Sequence, residues 1–403
     1  MRSIDSAFMA LTVRAKTPVQ QASCQMVTSM DSEELRVWLR LALTPGVGNI
    51  TSRKLLTAFG SAQAIFEQSS ASLEQLGSKK LASILRSEPS GLAAQLQATL
   101  DWLKAGDDRH LAVLGDAAYP AVLLDIEDPP LMLYMLGTLA TAGTLAAEKI
   151  ANSLAIVGSR NPTPQGQSNA RQFARTFGGA GICVVSGLAL GIDGAAHDGA
   201  MLGGGETIAV VGTGLDRVYP KQHLDLAHRI ARQGMIISEF PLGTPPLTAN
   251  FPKRNRIISG LSQGTLVVEE ALQSGSLITA RLAAEQGKEV FAIPGSIHSP
   301  QSRGCHALIK QGAKLVEVAQ DVLDELRLAP AQPARVGGKT DTAACGSDNP
   351  LLAALGFDAV SLDALQARTG LDTPHLQAGL LELELDGHVA RLPGGLFQRM
   401  AAG

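Results

Sequence analysis

The fold is decided by residues 153–187, SLAIVGSRNPTPQGQSNARQFARTFGGAGICVVSG, in which two short apolar runs flank a longer stretch of helical character. The alternation continues with TIAVVG (207–212), MIISE (235–239), TLVVE (265–269), EVFAI (289–293) and KLVEV (314–318). Apolar strands that alternate with helices are typical of βαβ units in a parallel sheet. The sequence therefore predicts an α/β core with a doubly wound, mainly parallel sheet.

Different patterns flank this core. Residues 31–104 have apolar positions at three-and-four spacing and predict a small helical domain, after an extension at 1–30 that we expect to be disordered. The core domain is predicted at 105–326, and a linker rich in Ala, Pro and Gly at 327–350. Residues 351–403 read as helix, turn, helix and a two-stranded wing, the pattern of a winged helix.

Two features of the flanking modules leave alternatives open. Residues 45–48, PGVG, separate two predicted helices and resemble a helix-hairpin-helix whose amides hold a DNA phosphate, although a plain interhelical turn is favoured. The predicted recognition helix of the tail carries Glu382, Glu384 and Asp386, with only His375 as a cation. Because DNA phosphates would repel this face, we favour a protein contact or a structural role for the tail.

The composition limits the classes of function. The net charge of −3 excludes a protein that coats nucleic acid indiscriminately, but residues 151–320 hold 15 Lys and Arg against 11 Asp and Glu. Any DNA site is thus expected to be a local patch in the core. The four cysteines lie far apart, which favours a reducing cytoplasm, and no apolar run is long enough to cross a membrane. No metal site or cofactor is predicted.

Loops at the carboxyl ends of parallel strands carry the candidate ligands, because sites in doubly wound sheets lie there. The first strand ends in Gly158, Ser159 and Arg160, and the second in Ser186 and Gly187. Further along, Asp193 is predicted as a helix N-cap with His197 one turn on; this capping interpretation is favoured over a catalytic pair. Gly212 and Gly214 form a weak dinucleotide signal, and Lys221 follows at the start of a helix.

The strongest cluster of cations is NFPKRNRIISG, which places Lys253, Arg254, Asn255 and Arg256 in succession. If this stretch is extended, the two arginines point the same way, roughly 6.6 Å apart, and one loop could hold several phosphates of a strand. The alternative is a solvated basic turn. A later loop, Ser274, Gly275 and Ser276, precedes another helix and offers further hydrogen-bond donors to phosphate.

The segments IVGSR, SGLALGIDGAAH, GTGLDRVYP, SEFPLG, FPKRNRIISGL, VVEEALQSGSLITA, and IPGS with SRGCHALIKQGA resemble the DNA-processing protein A family, DprA or Smf, over about residues 110–320. The resemblance implies an extended Rossmann core with a helical, SAM-like domain before it and a winged helix behind it. It also implies a homodimer that binds single-stranded DNA without turnover and loads the RecA recombinase during natural transformation. A contact with single-strand-binding protein is left open. The family's DNA contacts are expected at Arg160, Lys221, Arg254 and Arg256.

Two other classes of function remain as alternatives. One is a Rossmann-type hydrolase of nucleotides, whose PGGxGTxxE motif is matched only partly by SGLSQGTLVVEE (259–270): Gly264, Thr265 and Glu269 are present, but the paired glycines are absent. The dispersed Glu239, Glu269 and Glu270 do not resemble the acidic set of a two-metal nuclease. The other alternative, a scaffold for proteins, leaves the cluster of cations unexplained.

Overall fold

A computed structural model describes residues 30–138, 140–141, 144–145, 147–272, 274–326, 349–357, 359–392 and 394–400. The predicted extension therefore lies outside the described residues, except for Met30. Of the predicted linker, only Asn349 and Pro350 are described, and Pro350 opens a helix.

Six helices fill the first module. Polar side chains begin several of them: Asp31 accepts a hydrogen bond from the Glu34 N–H, and Ser61, Ser69 and Ser78 cap the third to fifth helices in the same way. The turn at 44–48 joins the first two helices and buries Val47 in the module's core. The helices are α1 (Ser32–Leu43), α2 (Asn49–Phe59), α3 (Ala62–Glu67), α4 (Ser70–Leu76), α5 (Lys79–Arg86) and α6 (Leu92–Lys104).

The core is a nine-stranded sheet, which confirms the predicted fold class. Its order is β1-β2-β8-β7-β6-β5-β9-β10-β11. The seven strands from β8 to the β11 edge pair in parallel. At the other edge, β2 pairs antiparallel with β8, and β1 pairs antiparallel with β2. A separate two-stranded pair is formed by β3 and β4. The strands are β1 (Arg109–Val113), β2 (Met132–Gly137), β3 (Ala140–Thr141), β4 (Thr144–Leu145), β5 (Ser153–Gly158), β6 (Cys183–Ser186), β7 (Thr207–Val210), β8 (Met235–Ser238), β9 (Gly264–Val268), β10 (Glu289–Ala292) and β11 (Lys314–Leu315).

Strands β5 and β9 mark the point at which the strand order reverses. Gly158, the last residue of β5, pairs with Val268, the last residue of β9, so both strands end at the same edge. Helices cover both faces, and the sheet contributes to an apolar core on each. These helices are α7 (Ala147–Ala151), α8 (Pro164–Gly179), α9 (Ile192–Leu202), α10 (Leu224–Gln233), α11 (Asn250–Leu261), α12 (Ser276–Glu285), α13 (Arg303–Lys310) and α14 (Ala319–Leu326).

The tail forms a winged helix, as its sequence predicts. Three helices and a three-stranded sheet of order β12-β14-β13 share one apolar cluster, and β12 adds a strand to the predicted wing. The exposed side of the last helix carries Glu382 and Glu384 together with Leu381 and Leu385. The elements are α15 (Pro350–Leu355), β12 (Val360–Ser361), α16 (Leu362–Thr369), α17 (Thr373–Leu385), β13 (Val389–Leu392) and β14 (Leu396–Arg399).

In the part of the chain that the structure describes, no helix combines the length and apolar character that membrane crossing requires.

Candidate nucleic-acid interface

Two adjoining cavities open where the parallel strands end, at the reversal of strand order. Their volumes are about 60 and 260 Å³, and Arg160, Ala189, Phe251 and Arg254 line both. We call them together the strand-end cavity. Among the predicted site residues, its lining includes Gly158, Arg160, Gly187, Arg254, Asn255, Ser274, Gly275 and Ser276. Ligands of doubly wound proteins bind in this position.

Arg160 is the exposed cation of the cavity. It follows β5, and its guanidinium carbon lies 5.6 Å from the centroid of the Phe251 ring. The backbone below it is fixed, because the Ser159 N–H donates to the Glu269 carbonyl at 2.8 Å and the Ser159 hydroxyl accepts from the Asn161 N–H. Ser159 itself is buried, so Arg160 is the charged side chain of this loop that a phosphate can reach.

The loop after β6 is held in an uncommon backbone conformation. Leu188 has a φ of 60°, which side chains other than glycine rarely adopt, and its carbonyl contacts His223 Nδ1 at 3.0 Å. The Asp193 carboxylate accepts hydrogen bonds from the N–H groups of Gly187 and Ala189. Ser186 is fully buried and donates to the Ile156 carbonyl. Ser186 therefore supports the loop and is not presented to a ligand.

The positions of Asp193 and His197 differ in one respect from the sequence prediction, which made Asp193 a helix N-cap. The N-cap of α9 is Gly191, and Asp193 lies in the first turn, where its carboxylate holds the preceding loop. His197 is buried and forms a 2.7 Å hydrogen bond with Thr207 Oγ1; burial lowers the pKa of this imidazole to about 3. The favoured, non-catalytic interpretation of His197 agrees with this geometry, whereas the N-cap assignment is wrong.

The NFPKRNR stretch is helical, so the extended conformation in which both arginines would point the same way does not form. These residues open α11. Because residues i and i+2 of an α-helix are separated by roughly 200° around its axis, Arg254 and Arg256 point in nearly opposite directions. Both are buried, although the family resemblance leads us to expect DNA contacts at both. Pro252 fits this helix because a proline in the first turn removes only an N–H that has no intrahelical partner.

Arg254 lines the cavity, but its guanidinium forms hydrogen bonds within the protein. Its Nη1 donates to the carbonyls of Gly187 and Val210, and its Nε donates to Asn255 Oδ1 at 3.0 Å. Burial lowers the pKa of Arg254 to about 10, although the nearby Asp193 carboxylate raises it. Arg254 thus supports the ends of β6 and β7 from beneath. A Cβ at Gly187 would collide with this guanidinium, which explains the glycine.

Arg256 and Lys253 lie on the other side of α11. Arg256 forms a bidentate ion pair with Glu239, with both N–O distances at 2.7 Å, and the Lys253 ammonium lies 3.4 Å from the same carboxylate. Neither residue lines the strand-end cavity. The structure therefore separates these two predicted site residues from Arg160.

Lys221 and the 274–276 loop complete the opening. Lys221 is exposed at the first position of a 3₁₀ turn, next to Pro220, which lines the larger cavity. Gly275 is the N-cap of α12 and provides no side-chain cap, while the Ser276 hydroxyl donates to the Gly158 carbonyl at 2.9 Å. The N-terminus of α12 thus begins at the cavity wall, where a helix dipole favours negative charge.

The sequence analysis missed an aromatic pair. Tyr219 and Phe251 both line the larger cavity, with ring centroids 5.6 Å apart and planes inclined by 36°, and Tyr219 is 47% exposed. Aromatic rings beside cations are the arrangement on which bases of single strands stack. The only signal in the sequence was that two of fifteen aromatic residues occur next to the predicted cations.

Glu269, the residue matched to the hydrolase motif, binds the residue that caps helix α8. Its carboxylate accepts hydrogen bonds from the backbone N–H and the hydroxyl of Thr163, the N-cap of α8. Within the described residues, no cluster of three or more His, Cys, Asp or Glu side chains could hold a metal ion.

The fold and the strand-end cavity define a Rossmann-type protein with cationic and aromatic side chains where its strand order reverses. The family model described as DNA recombination-mediator protein A matches residues 110–327, and the model of the DprA winged helix domain matches 341–395. The chain therefore belongs to the DNA recombination-mediator protein A family, the DprA and Smf proteins, as its motifs predict.

Individual relatives agree with this assignment. The chain is 43% identical over 306 residues to Protein Smf of Escherichia coli (strain K12), an alignment that covers 74% of this chain and 80% of the relative. It is 46% identical over 228 residues to the DNA processing protein DprA of Streptococcus pneumoniae, covering 54% of this chain and 78% of that protein. The X-ray structure of DprA from Streptococcus pneumoniae superposes with a TM-score of 0.52 at 36% identity, covering 69% and 98% of the two chains.

Proposed function

We propose that this protein binds single-stranded DNA in the strand-end cavity, without cleaving or modifying it. The observation that carries the proposal is the convergence of the exposed Arg160, the Tyr219 and Phe251 rings and the N-terminus of α12 around one opening. A cation and a helix N-terminus suit phosphates, and the rings suit unpaired bases. Family membership supports a role in DNA processing.

Single strands fit this opening better than a duplex. The aromatic rings offer stacking only to bases that are free of a partner, and the larger cavity of about 260 Å³ lies between Arg160 and Tyr219. A duplex keeps the faces of its bases stacked on one another and presents phosphates, sugars and base edges, so the rings would have no free base face to stack on. We therefore expect a preference for single strands.

The absence of turnover is part of the proposal. Asp193, His197 and Glu269 are the acid-base groups that the sequence associates with catalysis, and each forms a hydrogen bond within the fold. With its imidazole buried and its pKa lowered to about 3, His197 is poorly placed to transfer a proton near neutral pH. Incubation of the protein with nucleoside monophosphates and with labelled oligonucleotides should leave both intact.

The proposed partners are those that the family resemblance implies. We propose that the protein forms a homodimer and delivers its bound strand to a RecA-family recombinase during natural transformation, including strands that single-strand-binding protein already covers. A recombinase that hydrolyses ATP only on DNA gives the test: the protein should shorten the lag of hydrolysis on single strands already covered by single-strand-binding protein. An unchanged lag would contradict recombinase loading without affecting the proposal on DNA binding.

The DNA-binding proposal is tested by fluorescence anisotropy with single-stranded and double-stranded oligonucleotides. The wild type should prefer the single strand, and Arg160→Glu combined with Lys221→Glu should weaken its binding at least tenfold, because phosphates would meet negative charges at the opening. Arg281→Glu, at an exposed site on α12 outside this opening, is the matched control. Wild-type affinity in the double variant would refute the proposed site.

A further inference from the structure

The side of α11 that faces away from the strand-end cavity carries a buried polar cluster. Its centre is Glu239, whose side chain is 4% exposed and whose two oxygens both bind Arg256. Arg256 also donates from Nε to the carbonyl and the carboxylate of Asp128, at 2.7 and 3.1 Å. We call Asn49, Asp128, Glu239, Lys253 and Arg256 the Glu239 cluster.

This environment is unsuited to a DNA phosphate. A phosphate that approached Arg256 would meet the carboxylates of Glu239 and Asp128 within 3.1 Å of the same guanidinium. It would have to compete with a buried bidentate ion pair, in which charge-assisted hydrogen bonds are strong. The charge of Arg256 is therefore neutralised by carboxylates of the protein itself.

The helical module contacts the loop after β8 at two points. Asn49, the first residue of α2, lies 3.4 Å from Glu239 through its side-chain amide. Gln95 of α6, with its amide oriented to satisfy both groups, donates to the Leu242 carbonyl and accepts from the Leu242 N–H at 3.2 Å each. Leu242 also packs with Trp102 and Tyr134 in a small apolar cluster. The module thus binds this loop through polar and apolar contacts.

The same loop and the residues on either side of it support the cavity on its other side. Thr244 accepts a hydrogen bond from the Gly214 N–H, and Ser238 donates to the Thr213 carbonyl. Asn250, which opens α11, donates to the Gly212 carbonyl at 3.1 Å. Gly212 and Thr213 line the larger cavity. A displacement of the loop would consequently move one wall of the cavity.

We propose that Arg256 and Glu239 form a positioning pair, which holds α11 and the loop after β8 against the helical module and so sets the shape of the strand-end cavity. The inference rests on the proposed function. The pair itself does not contact DNA, and the helical module serves the cavity as a support.

The salt dependence of binding distinguishes positioning from phosphate contact. A side chain that neutralises a phosphate changes the slope of log K against log [salt] by about 0.7 for single strands, whereas a positioning residue lowers affinity and leaves the slope unchanged. We therefore compare Arg256→Gln with Arg160→Gln in a titration of a single-stranded oligonucleotide over a salt series. Arg160→Gln should lower the slope; Arg256→Gln should weaken binding about tenfold with the wild-type slope.

A double variant tests the pair itself. Because loss of one partner leaves a buried charge, Glu239→Gln and Arg256→Gln should each weaken binding and stability, while the double variant, with two neutral amides, should bind within about threefold of wild type. Asn49→Ala should weaken binding a few-fold with an unchanged slope. If a single variant does not fold, the affinities of the double variant and of Asn49→Ala test the inference instead. Arg281→Gln is the surface control.

The outcomes against the inference are specific. A slope that falls in Arg256→Gln as in Arg160→Gln would make Arg256 a phosphate ligand. A double variant that binds as weakly as Arg256→Gln would show that pairing with Glu239 does not set the affinity, and would overturn the inference. If the wild type does not bind single strands, the proposed function fails; amide hydrogen exchange without DNA then tests the pair, which requires faster exchange at 250–261 in the single variants than in the double variant. Equal exchange would overturn it.

Discussion

The exposed opening of the strand-end cavity and its buried floor use the same residue type for different purposes. Arg160 stands in solvent over the Phe251 ring, whereas Arg254 lies beneath, with its guanidinium bound to two strand-end carbonyls. The opening offers charge to a ligand, and the floor uses charge to hold strained backbone at Leu188. A count of cations in the sequence does not distinguish these uses, because the difference lies in the acceptors that the fold provides.

The largest effect is expected at the floor. Arg254→Met removes the donor from the buried carbonyls of Gly187 and Val210 and takes a positive charge from beside Asp193. The free energy of unfolding should fall by about 3 kcal/mol, in the range found when one buried charged partner is lost. Urea unfolding followed by circular dichroism measures this.

Arg160→Met is the matched control for that experiment. Arg160 is exposed, so its loss should change the free energy of unfolding by less than about 0.5 kcal/mol. Equal losses of stability in the two variants would remove the distinction between opening and floor.

The fold class was predictable from the sequence because burial on both faces of a sheet leaves runs such as SLAIVG and TIAVVG, which local periodicity reveals. The loops of the site were predictable for the same reason, since each follows a strand end. The environment of Arg254 was not, because its acceptors lie 67 and 44 residues away in the chain. Likewise, Ala249 before α11 provides no side-chain cap, so the sequence carries no signal for the start of this helix.

The second effect concerns pH and His197, a buried imidazole on α9 that lies outside the lining of the strand-end cavity. His197 is neutral in the folded protein, with a pKa lowered to about 3 by burial, whereas the ordinary value of about 6.5 applies to the unfolded chain. Below about pH 6.5 the unfolded state therefore binds a proton that the folded state does not. Stability is fully present above that pH and falls as the pH decreases towards 3, by about 2 kcal/mol at pH 5.

Unfolding of His197→Gln across the same pH range isolates this contribution. The variant should be less stable at pH 7, because the hydrogen bond to Thr207 is disturbed, but its stability should decrease less steeply between pH 6.5 and pH 5. The exposed His228 provides the control, since His228→Gln should keep the wild-type steepness. A wild-type steepness in His197→Gln would show that His197 does not titrate as a buried neutral group.

The smallest effect is expected at the opening and concerns the aromatic pair. Tyr219→Ala removes a half-exposed ring from Phe251 without uncovering charge, so stability should change little. If bases stack on this ring, single-strand affinity should fall by about 1 kcal/mol, roughly fivefold in Kd. Because stacking releases no condensed counterions, the slope of log K against log [salt] should equal that of the wild type.

Tyr219→Phe is the control, because it keeps the ring and should bind as the wild type does. A loss of affinity in this variant equal to that in Tyr219→Ala would assign the effect to the hydroxyl. Affinity retained in Tyr219→Ala would mean that the opening binds DNA through its cations alone, and the rings would then belong with the floor as packing.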